Sequence, residues 1–366
     1  MLRVIITTGG TGGHVFPALA VAEELRRQIP QVNILFVGGR YGMEQHWVRE
    51  AGIDFAGLPV QGVIGRGMRS LSALPAMLIS IGEALSIMTE FKPDAVIGFG
   101  GYASFPTVLA AIIRRCPTLI HEQNACPGAA NRILAKFARH ICLAIPDSSK
   151  KFPEAKTTVT GNPVRREIAN LPDKIFQPDK KRLLIMGGSQ GAASINRAIT
   201  THLDEFKAAN VEIWHQTGNR DYIMAQEAYA GADYDKARVQ GFIDNVAEAY
   251  QWADLVVCRA GASTVAELTV SGTPSFLVPF PYATHNHQLH NAEYLCAHKA
   301  AVLFKDESLN GGNFAREVLA LLNDTARLAE MARSARSLGR ANAAEEVVAC
   351  IKLVLPEQIR EKISGL

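Results

Sequence analysis

The sequence has little net charge, few cysteines and no long apolar run, and each shortage argues against a class of protein. Its 38 basic and 35 acidic side chains leave a net charge of only +3, whereas nucleic-acid-binding domains carry a concentrated basic surface. The six cysteines are scattered without a Cys-x-x-Cys pair, which is typical of reduced thiols in a cytosol and not of disulfides or a zinc site. The longest apolar run, from Phe105 to Ile113, is roughly half of the ~18 residues that a membrane-spanning helix needs.

The start of the chain has no apolar signal-peptide segment, because the stretch from Leu2 to Thr8 indicates a buried strand that leads straight into glycines. We therefore expect a cytoplasmic protein that meets a membrane only at its surface. A weak basic bias, with a pI near 8.5, suits anionic small molecules or an anionic membrane surface. The 366 residues exceed the ~250–300 at which a single core stops growing, so we expect two domains.

The first motif is a glycine-rich turn, Gly9–His14, between the predicted strand and a helix predicted from Phe16 to Arg27 with Pro17 in its first turn. Glycines allow positive φ and bring backbone N–H groups close to a ligand, and a helix N-terminus favours anions. His14 lies where the turn becomes the helix, so its imidazole is a candidate catalytic group. A tight turn in which His14 only caps the helix is the alternative, which this motif alone does not exclude.

The sequence lacks the motifs of two common nucleotide-binding sites. A dinucleotide site needs G-x-G-x-x-G after the first strand and an acidic residue at the end of the second. The turn has Val15 in place of the third glycine, and the second strand, Asn33–Val37, ends in Gly38-Gly39. There is also no G-K-[ST] phosphate loop. We therefore predict no nicotinamide cofactor.

The pattern of strand, small-residue turn and helix recurs on both sides of a charged stretch that contains Pro163, Pro172 and Pro178. This alternation predicts an α/β protein with two doubly wound parallel sheets, whose strand ends face each other across a cleft.

We place the first domain at 1–163 and the second at 164–340. A C-terminal helical segment, 341–366, is expected to pack back on the first domain. The later strands and turns are Ala95–Ile97 with Gly98–Ser104, Thr118–Ile120 with His121–Asn124, Arg182–Met186 with Gly187–Ala192, and Leu255–Val257 with Cys258–Glu267.

Two further stretches have open interpretations. Between Gly62 and Met88, apolar residues follow helical spacing beside Arg66 and Arg69, which favours a core-facing helix but also suits a ridge that touches a bilayer. The tetrad His121–Asn124 ends a strand where α/β sheets bind ligands. It is either a hydrogen-bonded structural turn or part of a site, and Asn124 is its better ligand candidate.

Five motifs in this order carry a resemblance to a known family: Gly9–His14, His121–Asn124, Gly161–Arg165, Gly187–Ala192 and Cys258–Glu267. Together they resemble the MurG family of peptidoglycan glycosyltransferases, over residues 2 to about 350. The resemblance implies the GT-B fold, with a lipid acceptor held by the first domain and UDP-N-acetylglucosamine (UDP-GlcNAc) by the second. It implies that the binding residues are Thr11, Gly12, Gly13, Asn124, Arg165, Ser189, Ile243, Ala262, Ser263, Thr264, Val265, Ala266, Glu267 and Gln288.

The implied reaction is inverting transfer of GlcNAc to the C4 hydroxyl of MurNAc in lipid I, undecaprenyl-pyrophosphoryl-MurNAc-pentapeptide, giving lipid II and UDP at the cytoplasmic face of the membrane. His14 is the candidate base, or a residue that only positions the acceptor. Helix N-termini with Arg165 or Arg259 can compensate the charge on UDP, so we predict no obligatory metal and no cofactor. The rival functions are a UDP-GlcNAc 2-epimerase and a non-catalytic membrane scaffold that binds the nucleotide sugar.

Overall fold

The computed structural model describes residues 1–10, 12–60, 73–146, 150–188 and 191–364. The chain divides into two compact units. Unit 1 comprises residues 1–165 and 342–366, and unit 2 comprises residues 166–341. Each unit is a parallel β-sheet covered by helices, which is the doubly wound α/β class that the sequence predicts.

The sheet of unit 1 has seven strands within the described residues, all parallel, in the order β3-β2-β1-β4-β5-β6-β7. The central strands are buried on both faces, so their sequences are almost continuously apolar. The strands are β1 (Arg3–Thr7), β2 (Asn33–Gly39), β3 (Asp54–Leu58), β4 (Ala95–Gly98), β5 (Thr118–Glu122), β6 (His140–Leu143) and β7 (Thr157–Val159).

The helices of unit 1 come from both ends of the chain. They are α1 (Gly12–Gln28), α2 (Glu44–Glu50), α3 (Ala73–Phe91), α4 (Ser104–Ile113), α5 (Ala129–Leu134), α15 (Ala343–Val354) and α16 (Glu357–Ser364). Helix α15 buries Val347, Val348 and Ile351 in the same core as α1. Lys352 Nζ also donates to Gln28 Oε1 at 2.7 Å. The last helices of the chain therefore complete the first core.

The sheet of unit 2 has six parallel strands in the part of the chain that the structure describes, in the order β10-β9-β8-β11-β12-β13. The strands are β8 (Arg182–Met186), β9 (Glu212–Gln216), β10 (Ala237–Gln240), β11 (Leu255–Cys258), β12 (Ser275–Leu277) and β13 (Ala301–Leu303). The helices are α6 (Arg166–Ala169), α7 (Ala193–Thr201), α8 (Leu203–Ala208), α9 (Tyr222–Gly231), α10 (Val246–Trp252), α11 (Ala262–Ser271), α12 (His287–Ala297), α13 (Phe314–Leu322) and α14 (Thr325–Leu338).

The structure corrects two predicted boundaries near the candidate site. Helix α1 begins at Gly12 and not at Phe16, so Pro17 lies inside the helix instead of in its first turn. His14 is consequently in the first turn of α1. Strand β5 continues through His121 and Glu122, which the turn interpretation places outside it. Both boundaries were misplaced because glycines and polar side chains, which usually end an element, are here buried by neighbouring segments.

Within the described residues, the strand order of each sheet reverses at one point. In unit 1 the order reverses between β1 and β4, and in unit 2 it reverses between β8 and β11. Open α/β sheets bind ligands at this reversal, outside the carboxyl ends of the two strands. The loops there begin at Thr8 and Phe99 in unit 1, and at Gly187 and Arg259 in unit 2. All four loops belong to segments that the sequence analysis selected.

Candidate active site

Two glycine-rich loops pack directly on each other in unit 1. The Thr8 hydroxyl donates to the Gly100 carbonyl oxygen at 3.1 Å, which ties the loop after β1 to the loop after β4. Gly101 has φ +78°, and a Cβ on it would lie 1.9 Å from the Gly9 carbonyl oxygen. No side chain fits that space, so glycine at this position is required for the close approach of the two backbones. The pairing fixes the loop that leads into α1.

Replacing Gly101 with alanine is expected to destabilise unit 1 by more than the ~1–2 kcal/mol that a left-handed backbone costs a non-glycine residue, because the added methyl also meets Gly9. Gly82→Ala is the matched control. Gly82 lies on an exposed position of α3, and a Cβ there meets nothing within 4 Å. The control should be neutral or stabilising by up to ~1 kcal/mol. Urea unfolding of both variants measures the difference, and equal midpoints would contradict the packing argument.

His14 projects from the first turn of α1 and is half-buried. Its Nδ1 lies 3.2 Å from Gln123 Oε1. Gln123, just after β5, is 1% exposed, and its Nε2 donates to the Phe99 carbonyl oxygen at 2.8 Å. The structure therefore brings His14 next to the loops that follow β4 and β5. The sequence analysis did not single out Gln123, although it belongs to the quoted tetrad, because a neutral amide gives no signal of its own.

His121 and Glu122 have structural partners. His121 is fully buried and stacks on Phe99, and its Nε2 donates to the Gly161 carbonyl oxygen at 2.9 Å. Burial lowers the pKa of His121 to about 4, against a smaller opposing effect of the Gly161 hydrogen bond. The ring is therefore neutral near pH 7. These contacts favour the structural interpretation of this histidine.

Glu122 organises the loop that contains Asn124. One carboxylate oxygen accepts from the backbone and side-chain nitrogens of Asn124, at 3.0 and 3.3 Å. The other accepts from the Gly128 backbone and from Asn131 Nδ2, at 3.0 and 2.9 Å. A buried carboxylate with four donors fixes the loop conformation. Asn124 remains half-buried at the surface of this loop.

Arg165 is the last residue of the N-terminal segment of unit 1, and its guanidinium lies over the ring of Phe16, with Cζ 5.4 Å from the ring centroid. Phe16 follows His14 by two residues in α1. The structure thus brings Arg165, from the Gly161–Arg165 motif, to the N-terminal turns of α1. Gly12 and Gly13 are the first two residues of that helix. Thr11, also a predicted binding residue, lies outside the described residues.

In unit 2 the candidate site centres on the start of α11. Gly261 precedes the helix with extended backbone angles, and Ala262, Ser263 and Thr264 form its first turn. The first N–H groups of a helix have no acceptor within the helix, so this turn is suited to bind phosphate oxygens. Val265 is buried in the core, and Ala266 is partly exposed beside Glu267. Glu267 lies one turn beyond Ser263, on the same side of the helix.

Glu267 is held by a residue that the sequence analysis missed. The hydroxyl of Tyr250, on α10, donates to Glu267 Oε2 at 2.9 Å. Tyr250 is fully buried, and it packs in the same core cluster as Ile243, which is 3% exposed. The structure therefore connects Ile243, Tyr250 and Glu267 through one packed region. No sequence motif marks Tyr250, because its role depends on the packing of α10 against α11.

The second glycine loop joins β8 to α7. Gly188 and Gly191 have φ +73° and +77°, and Gln216 Nε2 donates to the Gly188 carbonyl oxygen at 2.8 Å. This loop is the counterpart of the first glycine turn, at the position where the strand order reverses. Ser189, the predicted phosphate ligand of the loop, lies outside the described residues.

Two further contacts tie α12 to the loops after β11 and β12. Gln288 Oε1 accepts from the Phe280 backbone N–H at 3.0 Å. Asn291, also on α12, donates through Nδ2 to the Ala260 carbonyl oxygen at 3.1 Å. Because Ala260 is two residues before α11, the start of α12 is fixed relative to the predicted phosphate-binding turn. Gln288 therefore belongs to the same region of unit 2 as Ala262 and Ser263.

Arg259 is ion-paired within unit 2. Its Nη1 lies 2.5 Å from Asp306 Oδ1, and its Nη2 donates to the Ser194 hydroxyl at 2.7 Å. The guanidinium also lies over the Phe280 ring, with Cζ 5.4 Å from the centroid. Through its contact with Phe280, Arg259 supports the loop after β12. Because the pairing with Asp306 neutralises its charge, Arg259 is a weaker candidate than Arg165 for compensating charge on a leaving group.

No cluster of three or more metal-binding side chains occurs among the described residues. His287, the first residue of α12, contacts the Thr284 carbonyl oxygen through Nδ1 at 2.7 Å. His290 pairs with Glu293 at 3.1 Å. These local contacts give the histidines ordinary partners within their own segment.

Comparison with known proteins identifies the family. The profile of the "Glycosyltransferase family 28 N-terminal domain" matches residues 4–143, and that of the "Glycosyltransferase family 28 C-terminal domain" matches residues 182–347. The chain belongs to glycosyltransferase family 28. A family 28 relative from Nitratidesulfovibrio vulgaris (strain DP4) is 50% identical over 95% of this chain and 96% of its own length. That relative is named UDP-N-acetylglucosamine--N-acetylmuramyl-(pentapeptide) pyrophosphoryl-undecaprenol N-acetylglucosamine transferase.

Solved structures agree with the family 28 assignment. The crystal structure of Acinetobacter baumannii MurG is similar with a TM-score of 0.79 and 32% identity, covering 96% of this chain and 99% of that one. UDP-GlcNAc 2-epimerase from Neisseria meningitidis has a TM-score of 0.67 at 14% identity, covering 96% and 99% of the two chains. At that identity the epimerase shares the fold alone. The glycosyltransferase class and the GT-B fold are thus established for this family 28 chain.

Proposed function

We propose that this chain transfers GlcNAc from UDP-GlcNAc to the C4 hydroxyl of MurNAc in lipid I, with inversion at the anomeric carbon, and forms lipid II and UDP. The observation that carries the proposal is the 50% identity, over nearly the whole chain, to a relative named for this transfer. Both units contain a glycine-rich loop followed by a helix start at the reversal of the strand order, as binding of two polar substrates requires.

We assign the donor to unit 2. The N–H groups at the start of α11 bind phosphate oxygens, and Glu267, oriented by Tyr250, accepts hydrogen bonds from the ribose hydroxyls. The backbone of Ile243 binds the uracil edge, Gln288 binds the GlcNAc hydroxyls, and Ser189 contributes to the phosphate site. Asn124 and Arg165 contact the donor from unit 1. As negative charge grows on UDP, Arg165 and the helix starts stabilise it without an obligatory metal.

We assign the acceptor to unit 1, where Thr11, Gly12 and Gly13 line its site and His14 acts as general base. As the C4 hydroxyl of MurNAc attacks the anomeric carbon, the O–H proton moves to His14, the new glycosidic C–O bond forms and the bond to the UDP oxygen breaks. A positioned histidine of this kind contributes about 10²–10⁴-fold to the rate.

The decisive experiment is a transfer assay with radiolabelled UDP-GlcNAc and a lipid I analogue. We expect label in a lipid II product and release of UDP, with full activity retained in EDTA. Incubation with UDP-GlcNAc alone separates the rivals, because a 2-epimerase would form the ManNAc isomer without acceptor. Tight binding of UDP-GlcNAc with no turnover on lipid I would instead favour a non-catalytic scaffold.

We further propose that unit 1 binds the cytoplasmic face of the membrane as a peripheral protein. No helix among the described residues is long and apolar enough to span a bilayer. On the adjacent helices α3, α4 and α5 and just beyond α5, large apolar side chains are exposed, and we call them the apolar ridge: Leu78, Ile79, Ile113, Ile133 and Phe137. Exposed Arg114, Arg115, Arg132, Lys136 and Arg139 lie beside them in the chain, a combination that suits an anionic lipid surface.

The apolar stripe of helix α3 is buried in one part and exposed in another, which supports this proposal. Ala84 and Met88, in its C-terminal half, are buried in the core, whereas Leu78 and Ile79 near its start are exposed. The basic residues Arg66 and Arg69, which the sequence analysis placed beside this stripe, lie outside the described residues.

Reversing the charge of Arg114 and Arg115 to glutamate is expected to weaken binding to vesicles with anionic lipid by roughly 10- to 100-fold, because each basic residue near such a surface contributes ~1 kcal/mol. Co-sedimentation with vesicles measures the change. The same double reversal at the exposed Lys207 and Lys236 of unit 2 is the matched control. Equal losses in both variants, or unchanged binding in the first, would contradict the assignment of the membrane surface to the apolar ridge.

A further inference from the structure

We propose that Gln123 is a positioning residue that holds His14 in the tautomer required of a general base, with the proton on Nδ1 and the lone pair on Nε2. The inference deepens the proposed function and rests on it for the role of His14. Gln123 itself does not touch the substrate in this proposal. It acts only through the ring of His14, whose Nδ1 lies 3.2 Å from Gln123 Oε1.

The orientation of the Gln123 amide follows from its second partner. Gln123 Nε2 donates to the carbonyl oxygen of Phe99 at 2.8 Å. A carbonyl oxygen can only accept, so the amide nitrogen must face Phe99 and the amide oxygen must face His14. Oε1 is in turn only an acceptor, so Nδ1 of His14 must be the protonated nitrogen. In the neutral ring the other nitrogen, Nε2, then carries the lone pair that can accept a proton.

The surroundings of Gln123 prevent the amide from turning. Gln123, which directly follows β5, is 1% exposed, and Phe99 is fully buried in the loop after β4. A Cβ built on Gly100 would lie 3.5 Å from His14 Cε1 and 3.7 Å from Gln123 Oε1, so the backbone of this loop covers the hydrogen bond. Rotation of the amide would place its nitrogen against Nδ1 and its oxygen against the Phe99 carbonyl, and both contacts would be unfavourable.

The same geometry explains why an amide is suited to this position. A carboxylate at the same place would face the Phe99 carbonyl oxygen with its second oxygen, with no proton between them. Glutamine satisfies both neighbours, since it offers a donor to Phe99 and an acceptor to His14. Tautomer selection by an acceptor at Nδ1 is the logic of His-dependent nucleophilic sites in general.

The tautomer can be measured without any activity assay. In protein labelled with ¹⁵N in the histidine rings, long-range ¹H–¹⁵N spectra of the neutral ring distinguish a protonated from an unprotonated nitrogen, and a His14→Gln spectrum identifies the signals of His14. We expect Nδ1 to be protonated in the wild-type chain. In Gln123→Met, which keeps the side-chain length but removes the acceptor, we expect a shift toward the Nε2-protonated form. A wild-type ring protonated on Nε2 would overturn the inference.

A double-mutant cycle tests whether Gln123 acts through His14. Gln123→Met is expected to lower kcat by about 10- to 100-fold, within the range of general base catalysis, with the KM for UDP-GlcNAc unchanged. In a His14→Ala background the same substitution should change kcat by less than about twofold, because the group on which it acts is absent. An equal loss in both backgrounds would show that Gln123 only supports the fold, and would overturn the inference.

Different results would contradict the proposed function and the positioning role of Gln123. If His14→Ala keeps near-normal transfer activity, the general-base assignment fails, whereas the tautomer experiment still decides whether Gln123 orients the ring. If the wild-type chain transfers no GlcNAc at all, the proposed function fails, and the spectra of wild type and Gln123→Met remain interpretable because they need no substrate.

Discussion

Replacing His14 with alanine is expected to lower kcat for GlcNAc transfer by about 10²- to 10⁴-fold, because the acceptor hydroxyl then has no positioned base. The KM for UDP-GlcNAc should change little, since His14 is assigned to the acceptor and not to the donor. The pairing of His14 with Gln123 at 3.2 Å and its place in the first turn of α1 support a positioned ring. Steady-state kinetics with saturating lipid I analogue measure the effect.

The matched control for this variant is His46→Ala. His46 is an exposed histidine on α2 of the same unit, and its Nε2 pairs only loosely with Glu50 at 3.4 Å. It should leave kcat and KM within about twofold of wild type, as is usual for surface substitutions away from a site. A His14→Ala enzyme with near-normal kcat but a raised KM for the acceptor would show that His14 positions lipid I and is not the base.

Replacing Glu267 with alanine is expected to raise the KM for UDP-GlcNAc by roughly 10- to 100-fold for each ribose hydrogen bond lost, since a hydrogen bond to a charged group contributes ~1.5–3 kcal/mol. The carboxylate is half-buried on α11, and one of its oxygens already accepts from Tyr250 at 2.9 Å. The geometry therefore favours a fixed acceptor over a mobile surface charge. Isothermal titration with UDP-GlcNAc gives the affinity independently of turnover.

Two comparison variants make this prediction specific. Tyr250→Phe removes the hydroxyl that orients Glu267 but leaves its charge, so affinity should fall by only about 3- to 10-fold, as expected for one hydrogen bond. Glu227→Ala makes the same chemical change as Glu267→Ala on an exposed position of α9 and should bind UDP-GlcNAc normally. Normal affinity in Glu267→Ala would remove the carboxylate from the donor site.

The pattern of strands and glycine turns was sufficient for the fold class and marked the loops at which the strand order of each sheet reverses. Strands β1, β4, β8 and β11 were found because buried parallel strands are short apolar runs that end at glycines or small residues. Strands β3, β6, β7 and β13 were not predicted. Strand β3 begins at Asp54, and β7 is only three residues long, so neither gives a clear periodic signal.

The amino-acid sequence by itself determined the two doubly wound sheets, the glycine loops at their edges and the candidate base His14. These features depend on local properties, namely backbone freedom at glycine and the apolar character of buried strands. Only the tertiary structure decided which polar side chains orient the candidate groups, with Gln123 on His14 and Tyr250 on Glu267. Each of these contacts joins residues from different elements, 109 and 17 positions apart in the chain. Such a contact forms only when the elements pack together. It could not be predicted from the sequence, because no sequence pattern identifies the partner of a neutral amide or a buried phenol.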